Sequence, residues 1–187
     1  MPPKAKTTKE DVIAAGLSAI REGGDQVLNA RDLAMRLGTS TQPIFSNFET
    51  MHELREALIT SAKSLYEEYL AQDMSANVYP PYKASGMSYI RFAREEPELF
   101  KLLFMRDRSG ENVSDARDIK GILDIIVENL GIDRERALLF HLAVWSHVHG
   151  IATMLVTGYL DLDTPVISKM LSDVYHGLKA IYTEGKE

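Results

Sequence analysis

The feature that most limits the possible folds is an uncharged stretch of 24 residues, Ala137 to Leu160. A run of this length either spans a bilayer or forms a helix buried inside a helical protein. The stretch contains His141, His147 and His149, and histidines that face lipid without partners are costly. We therefore interpret it as a buried helix of a helical body or dimer, and we expect no membrane partner.

Helical patterns dominate the rest of the chain, and no alternating run convincingly predicts a strand. Capping residues, glycines and prolines indicate where the helices end. The predicted helices are Thr7 or Thr8 to Gly23, Asn29 to Leu37, Thr41 to Asn47, Thr50 to about Ala71, Tyr82 to Glu95, Pro97 to Phe104, Ser114 to Leu130, Asp133 to Gly158 and Pro165 to Tyr182. The predicted fold class is all-α, with about nine helices.

Local residues fix the ends of the first three predicted helices. Thr7 followed by Glu10 makes a capping box that opens the first. Gly38 can supply the left-handed residue that ends the second. Ser40 can cap the third, in which Pro43 falls in the first turn and misses no backbone hydrogen bond.

Charge and cysteine content exclude several classes of function. The net charge of −6 argues against a protein that coats nucleic acid indiscriminately. Residues 1–50 hold six Lys or Arg against six Asp or Glu, so the acidic excess lies in the rest of the chain. With no cysteine, disulfides, thiolate metal sites and cysteine catalysis are excluded. The amino terminus does not resemble a secretory signal, so we expect a cytoplasmic protein.

Two short helices joined by a glycine turn, with a helix before them, are typical of a three-helix head whose last helix enters the DNA major groove. Gln42 and Asn47 lie on that last helix, and such amides can pair with an adenine edge. The candidate phosphate contacts are Lys4, Lys6, Lys9 and Arg31. Many helical hairpins share this pattern, so the motif alone is a weak indication.

A longer set of residues makes the indication specific. In order, and at matching spacing, the chain has Val12 to Leu17, Gly23-Gly24, Arg31 to Ala34, Leu37 to Ser40, Ile44 to Phe48, Glu53-Leu54 and Leu58. With these residues the amino-terminal segment closely resembles the tetracycline-repressor (TetR) family of regulators. Tyr89 to Ala93, Pro97 to Phe100 and Trp145 to Gly150 resemble a Trp-His-Gly-containing subgroup of that family.

The resemblance implies a homodimer whose two heads read a palindromic, double-stranded DNA operator. Residues 1–50 would be the head, 51–72 a connecting helix, and 73–187 an effector-binding and dimerisation domain. The expected DNA-facing residues are Lys6, Arg31, Thr39, Ser40, Thr41, Gln42, Pro43, Phe45, Ser46 and Asn47. The chain departs from the family at Phe45, where a tyrosine is common, and at Met51, where a lysine is common.

The carboxy-terminal part has apolar residues with a few polar groups among them, as small-molecule sites usually do. The expected effector-binding residues are Tyr89, Phe92, Leu103, Phe104, Trp145, His149 and Met154. Among the polar groups, His149 is the best candidate and Tyr89 the next.

The function predicted from the sequence is a ligand-responsive repressor, released from its operator by a small apolar effector, without enzymatic activity, cofactor or metal. An alternative is a helical metal-binding or enzyme-like protein that uses His141, His147 and His149. No acidic residue between Arg136 and Asp161 completes such a ligand set. A third hypothesis is a protein that acts only through other proteins.

Overall fold

The computed structural model describes residues 7–107 and 117–183. Within them it has nine α-helices, one 3-10 turn at Asp25–Val27 and no strand, which confirms the all-α prediction. The helices are α1 (Lys9–Gly23), α2 (Ala30–Arg36), α3 (Gln42–Asn47), α4 (Met51–Ser75), α5 (Pro81–Glu95), α6 (Pro97–Phe104), α7 (Arg117–Leu130), α8 (Arg134–Val156) and α9 (Thr164–Thr183). The predicted helix start at Ser114 and the candidate phosphate contacts Lys4 and Lys6 lie outside the described residues.

The capping box that opens α1 lies one residue later than predicted. Thr8, not Thr7, is the N-cap, and its Oγ1 accepts a hydrogen bond from the backbone N–H of Asp11 at 3.1 Å. The Asp11 carboxylate accepts in return from the N–H of Thr8 at 2.9 Å. Both threonines precede an acidic residue by three positions, so the spacing alone did not distinguish them.

In the turn between α2 and α3, the structure confirms the predicted end of α2 but not the predicted cap of α3. Asn29 caps α2 by accepting from two backbone N–H groups, and Gly38 has the predicted left-handed backbone with φ 60°. The predicted cap at Ser40 is wrong, because Thr41 is the N-cap of α3 and makes no side-chain capping bond. Thr41 already has helical backbone angles, so its carbonyl accepts the first bonds of α3.

The first of two compact units contains residues 7–68 and 96–106. Its core residues come from α1 to α4 and α6, and the fully buried ones include Val12, Ile20, Leu33, Ile44, Phe48, Leu54, Leu58, Leu99 and Phe100. A Cβ on Gly16 would lie 2.7 Å from Leu58 Cδ2. The glycine therefore lets α1 pack closely against the α4 side chain.

Within the described ranges, the second unit contains residues 69–95, 107 and 117–183 and is built around α8, which packs against α5, α7 and α9. Among the described residues, α8 is the one helix long and apolar enough to cross a membrane by length and composition, and 33% of its most apolar window is buried. A central core helix has the same composition. Its contacts with three neighbouring helices support the core interpretation.

Candidate nucleic-acid interface and effector site

α3 has one face buried in the first unit and one face exposed to solvent. Ile44 and Phe48 are only 0% and 1% exposed, and they anchor the helix in the core. Gln42, Phe45 and Ser46 are exposed, with Phe45 at 47%. Residues three and four positions apart share a helix face, so these three side chains form one surface. We call Gln42, Phe45 and Ser46 the α3 face.

The other expected DNA-facing residues surround α3 with differing exposure. Arg31, in the first turn of α2, and Ser40 are exposed. Thr39, Thr41 and Pro43 are half-buried. Lys6 lies outside the described residues, so its role stays a prediction.

Asn47 is held by the backbone of its own unit. Its Nδ2 donates to the carbonyl of Pro43 at 2.8 Å and to that of Thr7 at 3.3 Å, and the side chain is half-buried. The bond to Thr7 ties the segment before the N-cap of α1 to the end of α3. The two donors are therefore engaged in the fold, whereas the Gln42 side chain is exposed.

Three of the expected effector-binding residues form a cluster in the second unit. The Tyr89 hydroxyl and His149 Nδ1 share a hydrogen bond of 2.9 Å across α5 and α8. The Trp145 ring stacks on the His149 ring, with centroids 5.1 Å apart and an angle of 16°. Tyr89 is buried and Trp145 is partly open to solvent. We call these residues the Tyr-His-Trp cluster.

The structure places the other four residues of that set elsewhere. Phe92, also in the second unit, is fully buried and packs edge-on against Tyr69. Met154 is half-buried near the end of α8. Leu103 and Phe104 belong to the first unit, where Phe104 contacts Phe100 and Tyr66.

Comparisons with known proteins identify the family of the chain. Residues 82–173 match the family described as "Tetracyclin repressor-like, C-terminal domain". An uncharacterized HTH-type transcriptional regulator from Mycobacterium tuberculosis is 23% identical to the chain, over 97% of this chain and 86% of the relative. The chain belongs to the TetR family of transcriptional regulators.

Solved structures of TetR proteins share the fold over nearly the whole chain. A TetR-like transcriptional regulator from Rhodococcus sp. RHA1 superposes with a TM-score of 0.62 at 13% identity, covering 99% of this chain and 98% of that one. A TetR family member from Streptomyces coelicolor A3 gives 0.59 at 15% identity, covering 89% and 96%. The assignment to the Trp-His-Gly subgroup stays a prediction.

Ion pairs that the sequence did not indicate link elements of the first unit. Arg36 on α2 binds both carboxylate oxygens of Glu22 on α1, at 2.8 and 2.7 Å, and this contact lowers the pKa of Glu22. Arg55 on α4 binds Asp25 at 2.6 Å, and the contact raises the pKa of Arg55. The partners are 14 and 30 residues apart in sequence, so no helical spacing pairs them.

The other two histidines of α8 lie apart from the Tyr-His-Trp cluster. His141 Nδ1 and the Tyr82 hydroxyl share a hydrogen bond of 3.1 Å, and burial lowers the pKa of His141. Burial also lowers the pKa of His147, whose Nε2 is buried without a hydrogen-bond partner. Within the described ranges, no three His, Cys, Asp or Glu residues are grouped so that they could hold a metal ion.

Proposed function

We propose that this TetR-family protein is a cytoplasmic, dimeric repressor that a small apolar effector releases from a palindromic operator. The α3 face carries the proposal. Ile44 and Phe48 are buried and hold α3 against the core of the first unit. The exposed Gln42 amide has the donor and the acceptor that can pair with an adenine edge in the major groove. Arg31 and the amino-terminal lysines would supply the phosphate contacts.

A second copy of the chain would cover apolar side chains on α8 and α9. Leu139 on α8 is 52% exposed, and Val166 and Ile181 on α9 are 44% and 65% exposed. Large exposed apolar side chains on neighbouring elements favour burial in an interface. A two-fold dimer would present two α3 faces to half-sites about 34 Å apart, which requires a palindromic operator.

The Tyr-His-Trp cluster supports an effector site in the second unit. It combines a flat aromatic pair with a buried hydroxyl, which suits an apolar molecule that carries one polar group. α4 has residues in both units and is one of the chain connections through which bound effector would shift the head. By linkage, an effector that weakens DNA binding must itself be weakened by DNA to the same extent.

Selection of bound genomic fragments with the purified protein tests the DNA-reading step. We expect enrichment of one short palindrome, and its loss in Gln42→Ala. Gln26→Ala is the matched control, because Gln26 is an exposed glutamine of the same unit that does not belong to the α3 face. A folded dimer that enriches no sequence contradicts the proposal.

Tryptophan fluorescence can report on effector binding, because Trp145 is the only tryptophan in the chain. Small apolar compounds would be screened for a change in its fluorescence and then added to the protein–operator complex. We expect active compounds to lower operator affinity, and the operator to lower compound affinity by the same factor. Compounds that bind beside Trp145 without changing operator affinity contradict effector control.

A further inference from the structure

Residues of α5 line a cleft that includes no member of the Tyr-His-Trp cluster. It has a volume of about 220 Å³ and is bordered by the end of α4 and the start of α9, all within the second unit. Met87, Ile90 and Ile167 form an apolar floor. None of the five predicted effector residues in this unit lines the cleft.

The two carboxylates at the rim share one arginine as their ion-pair partner, and the rim is neutral only when Arg94 is counted too. Arg91 binds Asp73 at 3.1 Å and Glu95 at 3.4 Å. Its guanidinium also lies 4.3 Å from the ring centroid of Tyr69. A carboxylate paired with a guanidinium attracts a second cation only weakly, so the cleft is a poor site for a cationic ligand.

The second rim arginine binds only neutral acceptors in the part of the chain that the structure describes. Arg94 donates through Nη1 to Thr164 Oγ1 at 3.5 Å and through Nη2 to the carbonyl of Leu162. A guanidinium has five N–H donors, and these two contacts use two of them. Arg94 therefore places a positive charge and further donors at one end of the apolar floor.

We propose that this cleft is a second ligand site, for a small amphiphile with a carboxylate head and an unbranched apolar tail. The carboxylate would accept hydrogen bonds from Arg94 and from the Thr164 hydroxyl, and the tail would cover Met87, Ile90 and Ile167. Planar guanidinium groups match carboxylates well in geometry. The site goes beyond the proposed effector site and does not depend on it.

Methionine methyl groups report on the two sites separately. Met87 lines the cleft, whereas Met154 belongs to the predicted effector set and does not line it. In the full chain labelled with ¹³C at the methionine methyls, titration with octanoate is expected to shift Met87 saturably and to leave Met154 unchanged. Octanamide, which has the same tail without the charge, should bind about tenfold more weakly. Assignment would use Met87→Leu and Met154→Leu.

Two variants separate the head-group contact from the shape of the cleft. Arg94→Gln should weaken octanoate about tenfold or more, with Arg134→Gln, an exposed arginine on α8, as the unaffected control. Ala76→Trp fills the cleft from an exposed position, leaves Arg94 in place and should abolish binding. The proposal is overturned if Met154 shifts in place of Met87, if octanamide binds as well as octanoate, or if Ala76→Trp binds normally.

Discussion

The guanidinium of Arg21 binds both carboxylate oxygens of Glu96, with N–O distances of 2.7 and 2.9 Å. Glu96 is the N-cap residue of α6, yet its side chain makes no capping bond and reaches α1 instead. The partners are 75 residues apart in sequence. This ion pair therefore links α6 to α1 within the first unit.

Removing the Arg21–Glu96 ion pair should destabilise the first unit. We expect Arg21→Gln and Glu96→Gln each to lower the free energy of unfolding by about 1 kcal/mol, because Arg21 is partly solvated and the carboxylate is mostly buried. The exchanged double variant, Arg21→Glu with Glu96→Arg, should recover part of the loss. Urea denaturation measures all three, and an exchanged variant less stable than both single variants combined would contradict the pairing.

Substitutions at Asn47 and Gln42 should show which side chain stabilises the fold and which is available to contact DNA. Asn47→Ala removes donors to the carbonyls of Pro43 and Thr7, so we expect a loss of about 1–3 kcal/mol in unfolding free energy. Gln42→Ala changes an exposed side chain and should stay within about 0.5 kcal/mol of the unsubstituted protein. Equal stability losses in the two variants would show that the Asn47 bonds do not contribute to the fold.

Replacing Phe45 and Met51 by the residues that are common in the family should strengthen DNA binding in two different ways. Met51→Lys adds a cation at the first residue of α4, where the family commonly has one, so the slope of log affinity against log salt should steepen by about 0.9. Phe45→Tyr adds a hydroxyl without charge and should tighten operator binding about fivefold with no change in that slope. Fluorescence anisotropy over a salt series distinguishes the two effects. Identical slopes for both variants would contradict a phosphate contact by the new lysine.

Buried histidines should make stability depend on pH. Histidine in the unfolded chain titrates near about 6.5, and burial lowers the pKa of His141 and His147 in the folded protein. Below about pH 6.5 the unfolded state therefore binds more protons, and the unfolding free energy falls until the folded-state pKa is reached.

Glutamine substitutions test this pH dependence. Stability of His141→Gln should vary less between about pH 7 and pH 5, because its amide can still bond the Tyr82 hydroxyl but does not titrate in that range. His176→Gln, at an exposed position on α9, is the matched control. If the unfolding free energy of His141→Gln depends on pH as strongly as that of the unsubstituted protein, His141 does not cause the pH dependence.

The sequence predicted the helices well where local chemistry decides their ends. Asn29 and Gly38 have side-chain or backbone properties that end or begin a helix without help from the rest of the fold. The apolar pattern predicts that α4 ends near Ala71, but the helix continues to Ser75, and no glycine or proline lies between these two residues.

Features that depend on distant partners could not be predicted. The bond from Asn47 to Thr7 spans 40 residues, and it makes a predicted base-reading amide part of the fold. The α5 cleft is formed by Met87 and Ile167, which are far apart in sequence and show no shared pattern. The places of Gln42 and Ser46 on the α3 face could be predicted, because Ile44 and Phe48 lie four residues apart and mark the buried side of the helix. The exposure of Phe45 does not follow from this spacing, because its side chain is apolar.

The most direct test of operator reading is the affinity of the selected palindrome relative to a scrambled duplex, measured by anisotropy at near-physiological salt. The unsubstituted protein and Gln26→Ala should prefer the palindrome by a thousandfold or more, on the order seen for specific DNA-binding proteins. Gln42→Ala should lose about ten- to a hundredfold of that preference. Equal affinity of the unsubstituted, folded dimer for both duplexes would contradict a DNA-reading function for the α3 face.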